Sequence, residues 1–389
     1  MVAPQPFYQD RGTPIAVRQV LEALSELGYA VDLLTFPIGN DIAIPGLHIS
    51  RAGNPFGIKS VPIGLSFRKI LLDFSLITAL RGQLRRASYT CIHAVEEAAF
   101  PATLIGRRYG VPVLYDMQSS LPEQLAQSRL FSPPPVQRCL QALECWLLRH
   151  VHLTVSSTGL APRVKRLVPE ARVREWQFPS APSALDPAAA LELRQRLGIP
   201  KGRPIVLYAG TFESYQGLPQ LIEAIPLVQA GVPDATFVLV GADPSQKLEL
   251  RNGSQRLLES GALRIIDRQP RAALPPLLAM ADVLVSPRAH GGNLPLKIFD
   301  YLAAGRPIVA TDIPTHRTVL TGERAILVAL SAPALSEGIL AALGDPPRAA
   351  RLGRAARAYA SEHLAWPGFV QSVADVYEEV HGHAGAARG

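Results

Sequence analysis

Lys297 and Asp300 lie three residues apart, after two glycines, in the segment "GGNLPLKIFD" (residues 291–300). Side chains three residues apart lie on one face of a helix. A proline at position 295 is tolerated only near the start of that helix, where its missing N–H is not required. The segment therefore predicts a glycine turn leading into a helix with an ammonium group and a carboxylate on one side.

The first turn of this helix is suited to bind a nucleoside diphosphate. Free backbone N–H groups and the partial positive charge of a helix N-terminus favour phosphate, and Lys297 adds a cation. Asp300, one turn deeper, can accept hydrogen bonds from two ribose hydroxyls. The alternative is an ion pair between these two residues on a solvated surface, which the apolar neighbours Ile298 and Phe299 make less favourable. The residues assigned to the nucleotide in this segment and just before it are Arg288, His290, Gly292, Asn293, Leu294, Lys297 and Asp300.

Three other segments at predicted strand ends carry weaker signals. Gly12 in "FYQDRGTPIAV" can let a phosphate approach the backbone, or it can belong to an ordinary strand-to-helix turn. His93 in "HAVEEAAF" precedes Glu96 and Glu97, which can take part in chemistry or simply stabilise a helix start. Asp116 in "YDMQSSLPEQL" can accept a hydroxyl proton or act as a cap. Together with Lys297, His93 and Asp116 are the catalytic candidates.

The elements that position these residues follow from the pattern of the chain, in which short apolar runs alternate with helical patterns. This alternation predicts an α/β protein with parallel sheets covered on both faces. The strand candidates are "MVAPQPF", "AVDLLTF", "TCIHA", "PVLYDM" and "VHLTVSS", then "PIVLYAG", "TFVLVG", "LRIID", "DVLVSP", "PIVAT" and "AILV". In such sheets ligands bind at the carboxyl ends of the strands.

A proline-rich stretch at residues 179–187, "PSAPSALDP", separates the two sets of strands and predicts a domain boundary. We expect a first doubly wound domain at residues 1–180 and a second at 181–365. From residue 366 we expect a final helix followed by a disordered tail, "HGHAGAARG".

Composition narrows the classes of partner. The chain has 389 residues, 48% of them hydrophobic, and a net charge of +7. A basic chain can bind nucleic acid, an anionic membrane surface or a phosphorylated small molecule. Aromatic residues make up only 6% of the chain and form no stacking motif, so nucleic acid is not expected. No G-x-G-x-x-G follows the first strand, which disfavours a dinucleotide-dependent dehydrogenase.

Cellular location is predicted from cysteines and hydropathy. Cys91, Cys139 and Cys145 have no metal-type spacing and are interpreted as structural thiols in a reducing compartment. No apolar run approaches about 18 residues, and no basic leader precedes an apolar core. We therefore expect a cytoplasmic protein.

Basic residues are concentrated between Phe56 and Arg86, where one acidic residue, Asp73, accompanies six basic ones. Five apolar residues recur there at helical spacing: Ile70, Phe74, Ile77, Leu80 and Leu84. The stretch predicts either a core-facing helix with a solvated basic edge or a helix that contacts the inner face of a membrane.

The segments "GNLPLKIFDYLAAGRPIVATD", "YAGTFESYQGLPQLIEAI", "LLAMADVLVSP" and "GTPIAVRQVLEALSELGYAVDLLT" resemble the family 4 glycosyltransferases. The resemblance implies the GT-B fold, with two Rossmann-like domains facing a central cleft. It also implies transfer of a sugar from a nucleotide-sugar donor with retention at the anomeric carbon, without a metal ion or another cofactor. The donor would bind mostly to the second domain and a glycan or lipid-linked acceptor to the first. The last helix would cross back to the first domain.

Five positions depart from the pattern of this family. The family has two glutamates eight residues apart where this chain has Gly292 and Asp300. Its phosphate-binding arginine and lysine, expected just after Gly210 at the end of "PIVLYAG", fall on Thr211 and Gln216. The resemblance places Gly210, Thr211 and Gln216 in the donor site even so. The histidine expected near the acceptor falls on Gln118.

Two alternatives remain beside a hexosyltransferase. A nucleotide-sugar epimerase shares the GT-B fold, but it would need acid and base groups around the donor sugar, and Gly292 argues against one of them. A pseudoenzyme that only binds nucleotide sugars would show no transfer and no hydrolysis of the donor.

Overall fold

The structure is a computed structural model that describes residues 1–10, 12–61, 66–126, 131–180 and 186–386. The chain divides into two compact units. Unit 1 comprises Met1–Phe178 together with the chain from Trp366 onwards, and unit 2 comprises Pro179–Ala365. Most of the proline-rich stretch 179–187, namely residues 181–185, lies outside the described residues.

Unit 1 contains a seven-stranded parallel sheet in the order β3-β2-β1-β4-β5-β6-β7. Its strands are β1 (Val2–Ala3), β2 (Val31–Thr35), β3 (Leu47–Arg51), β4 (Ile92–Val95), β5 (Val113–Met117), β6 (Leu153–Ser157) and β7 (Val173–Trp176). Its helices are α1 (Gly12–Glu26), α2 (Phe67–Arg86), α3 (Ala99–Tyr109), α4 (Leu121–Leu125), α5 (Pro134–His150) and α6 (Ala161–Leu167).

Unit 2 contains a six-stranded parallel sheet in the order β10-β9-β8-β11-β12-β13. Its strands are β8 (Ile205–Ala209), β9 (Thr236–Ala242), β10 (Leu263–Asp267), β11 (Val283–Ser286), β12 (Ile308–Thr311) and β13 (Ile326–Val328). Its helices are α7 (Pro187–Arg196), α8 (Leu218–Gly231), α9 (Pro244–Gly253), α10 (Gln255–Glu259), α11 (Leu274–Met280), α12 (Leu296–Ala304), α13 (Pro314–Arg317), α14 (Ala332–Gly344) and α15 (Pro346–His363). The last helix, α16 (Trp366–Ala386), returns to unit 1.

Both faces of the first sheet are covered, as the apolar character of its strands requires. Successive strand residues point to opposite faces. Val2 and Leu34 accordingly belong to one hydrophobic core, and their neighbours Ala3 and Leu33 belong to another. Strands buried on both faces have nearly continuous apolar sequences, which explains why the central strands were readable from the sequence.

The prediction of two doubly wound α/β domains is confirmed. All six strands predicted in the second half are present, and five are present in the first half. The two strands that the sequence missed, β3 and β7, are the two edges of the first sheet. Edge strands face solvent and carry polar residues, such as His48 in "LHISR" and Arg174 in "VREW", so they lack the apolar signal of a central strand.

Helix α16 packs against α1 and β7 of unit 1. Trp366 Nε1 donates to Glu26 at 2.7 Å, and the Tyr377 hydroxyl lies 2.7 Å from His93 Nδ1. Glu379 pairs with Arg172 and Arg174. The helix extends to Ala386 in the described chain, and the disordered tail expected from residue 381 stays a prediction.

Helix α2 uses a different apolar stripe from the predicted one. Leu72, Leu76, Leu80 and Leu84 are buried, which is a spacing of four residues. Ile70 and Phe74, which the sequence placed with Leu80 and Leu84, are exposed instead. Residues 62–65 of the basic stretch lie outside the described residues.

Candidate functional site

In unit 2 the loop after β8 lies against the end of β9 and against the loop after β11. The sheet order reverses between β8 and β11, which is where a doubly wound sheet binds its ligands. Gly241 has φ +120°, and a Cβ there would lie 2.1 Å from the carbonyl oxygen of Gly210. Gly217 has φ +69°, and a Cβ there would lie 1.9 Å from the carbonyl oxygen of Pro287. Only glycine permits such backbone contact, so these two glycines hold the loops together.

Lys297 extends from the first turn of α12 to the loop after β8. Its Nζ donates to Gln216 Oε1 at 3.0 Å and lies 4.0 Å from the centre of the Tyr208 ring. Burial, followed by the charge of Arg288, holds the pKa of the Lys297 amine well below its usual value. The sequence left open an ion pair between Lys297 and Asp300. Lys297 instead contacts a neutral amide and an aromatic ring.

Arg288 lies directly after β11 and is buried, with 6% of its surface exposed. Its guanidinium donates to the carbonyl oxygen of His290 at 2.8 Å and to Asn293 Oδ1 at 3.1 Å. It also lies 5.3 Å from the Tyr215 ring. Burial lowers the pKa of Arg288. A Cβ at Gly291, which has φ +144°, would collide with the guanidinium, so the glycine turn makes room for this arginine.

His316, in the short helix α13 after β12, is a third basic residue of this group and was missed by the sequence reasoning. It is fully buried. Its Nδ1 lies 2.7 Å from the carbonyl oxygen of Thr311, and its Nε2 lies 3.2 Å from Ser286 Oγ. A carbonyl only accepts, so Nδ1 carries the proton and Nε2 accepts from the serine hydroxyl. Burial, with smaller contributions from Lys297 and Arg288, lowers the pKa of His316 to about 4.

Lys297, Arg288 and His316 form what we term the basic cluster. Within the described ranges, no carboxylate forms an ion pair with Lys297 or Arg288. Buried cations without counter-charges are costly in a protein that binds nothing there. The basic cluster therefore has the chemistry of an anion-binding site.

Asp300 has a protein partner of its own. Only 2% of its surface is exposed, and its Oδ1 accepts from Arg271 Nη2 at 2.9 Å. Arg271 belongs to the short 3-10 helix after β10. The sequence did not foresee this pair, which brings the loop after β10 to the same helix as Lys297. The contact of Asp300 with a ribose stays a prediction.

The neutral residues assigned to the donor lie around Lys297. Gln216 Nε2 is 3.5 Å from Thr211 Oγ1, and the Tyr208 hydroxyl donates to the carbonyl oxygen of Thr211 at 2.6 Å. The site for a Cβ on Gly210 lies 3.3 Å from Lys297 Nζ. Leu294 is buried, and Pro295 is the N-cap residue of α12, one position before the helix begins.

His93 and Asp116 of unit 1 belong to one buried hydrogen-bonded chain. His93 Nε2 lies 3.3 Å from Asp116 Oδ2, and Asp116 Oδ1 accepts from Gln118 Nε2 at 2.6 Å. Ser157 Oγ donates to Gln118 Oε1 at 3.0 Å. Because a carboxylate only accepts, His93 donates from Nε2 and its Nδ1 accepts from the Tyr377 hydroxyl.

These hydrogen bonds change the expectation for two of the catalytic candidates, His93 and Asp116. The sequence placed Asp116 in a loop, whereas it lies within β5 and is 1% exposed. His93 is 2% exposed, within β4. Both oxygens of Asp116 are already hydrogen-bonded. In this conformation the two residues position the end of the sheet, and direct contact with a substrate would require their neighbours to move.

Glu96 is a half-buried acidic group at the same end of this sheet. Its Oε1 accepts from Ser119 Oγ at 3.0 Å, and its backbone has φ +50°, which is strained for a residue other than glycine. Burial and the neighbouring Glu97 raise the pKa of Glu96 to about 7. Glu97 itself pairs with Lys69 of α2.

Gly12 begins α1, as the sequence expected, and a Cβ there would meet no atom within 4 Å. Its proposed phosphate contact stays a prediction. In the part of the chain that the structure describes, no group of three or more His, Cys, Asp or Glu side chains is placed to hold a metal ion. In that part, too, no helix has the length and apolar character needed to cross a membrane. The three cysteines are free thiols.

Comparison with family models identifies both halves of the chain. Residues 190–359 match the model of the glycosyl transferases group 1, and residues 11–161 match that of the glycosyl transferase 4-like domain.

Individual relatives extend the match over nearly the whole chain. A phosphatidyl-myo-inositol mannosyltransferase of Mycobacterium tuberculosis is 24% identical over 403 aligned positions, covering 98% of this chain and 97% of that protein. Among solved structures, a sucrose-phosphate synthase from Thermosynechococcus elongatus aligns with a TM-score of 0.79 at 20% identity, covering 98% of both chains. HepE of Anabaena in complex with UDP-glucose aligns with a TM-score of 0.74 at 17% identity, covering 96% of this chain and 98% of that one.

Proposed function

Because this chain belongs to the family 4 glycosyltransferases of the GT-B fold, we propose that it transfers a hexosyl residue from a nucleotide sugar to a glycan or lipid-linked acceptor. In this proposal unit 2 binds the donor and unit 1 the acceptor. The transfer retains the configuration at the anomeric carbon and uses no metal ion.

The observation that carries the donor assignment is the position of the Lys297 amine. The family expects its phosphate-binding cations in the loop after β8, where this chain has Thr211 and Gln216. Lys297 Nζ reaches that loop from α12 and lies 3.0 Å from Gln216 Oε1. The loop after β8 has no cation at Thr211 or Gln216, and Lys297 of α12 places an amine beside it. We propose that Lys297 and Arg288 bind the diphosphate of the donor.

The proposed reaction depends on stabilising the departing diphosphate. The oxygen of the acceptor hydroxyl forms a bond to the anomeric carbon while the bond from that carbon to the β-phosphate oxygen breaks. The acceptor proton passes to the phosphate oxygen that leaves on the same face. Negative charge grows on the diphosphate in the transition state, so a preorganised cation there lowers the barrier. Positioning of the acceptor hydroxyl supplies the rest of the reduction in the barrier.

Unit 1 offers Glu96, a half-buried acidic group, for an acceptor hydroxyl. Its neighbours Ser119 and Gln124 add further polar groups at the end of β4. The lipid-linked class of acceptor is supported by the relative from M. tuberculosis, which is named for mannosyl transfer to phosphatidyl-myo-inositol.

A panel of UDP-, GDP-, ADP- and dTDP-sugars tests this function. We expect one nucleotide to raise the melting temperature, since a ligand at 100 times its Kd stabilises by about 2.7 kcal/mol. The matching nucleotide sugar should then be consumed with release of the nucleoside diphosphate. The free sugar and a nucleoside monophosphate serve as controls, because neither carries the diphosphate. Binding without turnover, with a range of acceptors present, would favour a pseudoenzyme. An epimerised donor sugar would indicate an epimerase.

A further inference from the structure

The amine of Lys297 differs in its surroundings from the other five lysines of the chain. Those five are either exposed to water or paired with a carboxylate: Lys59, Lys69, Lys165, Lys201 and Lys247. Lys297 is half-buried, and its Nζ contacts the amide oxygen of Gln216 and the ring of Tyr208. Neither of these neighbours carries a negative charge. The ammonium form of Lys297 therefore has no counter-charge at the two groups that touch it.

These surroundings favour the deprotonated amine in the empty site. An ammonium ion loses hydration when it is buried, and the positive charge of Arg288 repels it. Both effects hold the pKa of Lys297 well below its usual value. A deprotonated amine has a lone pair on nitrogen and is a nucleophile, whereas an ammonium ion is not. Lys297 thus has the character of a nucleophilic lysine as long as no anion is bound beside it.

Arg288 places an anion-binding group next to this nucleophile. Its hydrogen bonds are to neutral acceptors, the carbonyl oxygen of His290 and Asn293 Oδ1, and they use two of the five N–H donors of a guanidinium. The flat, permanently charged guanidinium is suited to phosphate. A small molecule that carries an electrophilic carbon next to a phosphate would be oriented by Arg288 towards the amine of Lys297.

Two glycines leave room around these groups. A Cβ at Gly210 would lie 3.3 Å from Lys297 Nζ and 3.0 Å from the Tyr208 hydroxyl, so a side chain at this position would cover the amine. A Cβ at Gly291 would collide with the guanidinium of Arg288. The absence of both side chains keeps space for a ligand of a few atoms beside the nucleophile and its neighbouring cation.

We propose that Lys297 is a site of covalent acylation by small acyl phosphates, in which a carbonyl carbon is joined to a phosphate oxygen. The nitrogen of the neutral amine forms a bond to the carbonyl carbon, and the bond from that carbon to the phosphate oxygen breaks. The phosphate leaves with the electron pair of the broken bond, and it takes up the proton that the nitrogen loses. Arg288 stabilises the negative charge of the departing phosphate. The products are an amide on Lys297 and inorganic phosphate.

The consequence for the donor rests on the proposed function. An amide nitrogen stays uncharged at neutral pH, so acylation would remove one of the two cations assigned to the diphosphate. A bound diphosphate would oppose acylation in turn, because it occupies the same place and favours the protonated amine. Donor and acyl phosphate would therefore exclude each other, and acylation would act as a switch that turns the donor site off.

Mass spectrometry of peptides after incubation with acetyl phosphate tests the site without donor or acceptor. The chain has only six lysines, so the acetylation rate of each can be followed separately. We expect Lys297 to be acetylated about tenfold faster than the exposed Lys201, because each unit by which a pKa falls raises the neutral fraction about tenfold. Inorganic pyrophosphate should slow the reaction at Lys297 and leave the rate at Lys247 unchanged.

A second pair of measurements isolates the contribution of Arg288. Arg288→Gln should slow acetylation of Lys297 by acetyl phosphate about tenfold more than acetylation by 4-nitrophenyl acetate, which has no phosphate; about tenfold is the loss expected for one charge-assisted hydrogen bond. Arg203→Gln is the matched control, because Arg203 of the same unit pairs with Asp234 instead. It should leave both rates unchanged.

The outcomes separate this inference from the proposed function. Acetylation of Lys297 no faster than that of Lys201 would overturn the proposal, and so would a rate at Lys297 that pyrophosphate leaves unchanged. Equal losses with both reagents in Arg288→Gln would also contradict the assigned role of the phosphate. None of these measurements uses a nucleotide sugar, so failure of the transfer assay leaves their results standing, and failure here leaves the transfer assay standing.

Discussion

Replacing Lys297 with methionine should lower activity while leaving the folded state as stable or making it more stable. Methionine keeps an unbranched apolar stem and removes the charge. The protonated side chain, which is the form a diphosphate would bind, has three N–H donors, and the structure shows Nζ donating one hydrogen bond, to Gln216. Two donors are thus available to a diphosphate. At roughly 1.5–2 kcal/mol for each charge-assisted hydrogen bond, their loss costs about 3–4 kcal/mol, which is a decrease of about 100- to 1,000-fold in kcat/KM.

The stability change should have the opposite sign from the usual core mutation. The pKa of Lys297 is lowered by burial and by Arg288, so its protonated form is less favourable in the empty site than in the unfolded chain. Removing the amine removes that cost. Urea unfolding of the protein without nucleotide measures this difference. Lys247→Met is the matched control, because Lys247 forms an ion pair with Asp267 at the edge of the same unit and has no contact with the basic cluster.

Proton uptake gives a second and independent measurement. A bound diphosphate should raise the pKa of Lys297, so between the free and bound pKa values nucleotide binding takes up a proton and weakens as the pH rises. Calorimetry in two buffers of different ionisation enthalpy measures this uptake. It should disappear in Lys297→Met and persist in Lys247→Met. Wild-type turnover in Lys297→Met, or an unchanged proton uptake, would refute the assignment of this amine to the diphosphate.

Two further predictions concern Asp300 and His316. Asp300→Asn should weaken the binding of the free nucleoside diphosphate and of the nucleotide sugar equally, because the ribose is common to both. Calorimetry measures both affinities. An equal loss of affinity in Arg271→Gln, with Asp300 intact, would assign the effect to their ion pair instead. The pKa of His316 falls from 6.5 to about 4 on folding, so the unfolded chain binds more protons between these values and stability is lost as the pH falls through this window. His316→Asn should remove about 3 kcal/mol of this acid sensitivity, seen as a smaller change in unfolding free energy between pH 7 and pH 4, and an unchanged pH dependence would contradict the buried neutral histidine.

The sequence predicted the central strands and the turn before α12 because their signals are local. Continuous apolar runs mark strands buried on both faces, and glycine with proline marks the start of α12. The edge strands β3 and β7 lacked that signal. The spacing of Lys297 and Asp300 showed that they share a helix, but not what lies opposite each of them. Their partners, Gln216 and Arg271, are 81 and 29 residues away in sequence, so these contacts depend on the packing of loops.

His316 could have been predicted as a site residue from its position after a parallel strand. Parallel strands end at the same edge of the sheet, and that reasoning selected Arg288 and Lys297 after β11. "PIVAT" was predicted as a strand, so the histidine five residues after its last threonine was open to the same inference. In unit 1 the catalytic roles of His93 and Asp116 stay predictions. His93 and Asp116 are chemically suited to catalysis, but they lie inside β4 and β5, and burial cannot be read from residue type.

Two of the departures from the family pattern, Thr211 and Gln216, remove cations, and on our proposal the basic cluster supplies that charge. Thr211 and Gln216 lack charge, yet each lies beside the Lys297 amine or its partner, and Arg288 occupies the room that Gly291 leaves. In a protein that binds no anion at this site, two poorly solvated cations whose pKa values are both lowered by burial would only reduce stability. An arginine and a lysine without carboxylate partners destabilise the empty fold. A bound diphosphate reverses that cost, since it supplies the counter-charges that the described chain does not. The unfavourable electrostatics of unit 2 are therefore the strongest physical argument that it binds a nucleoside diphosphate.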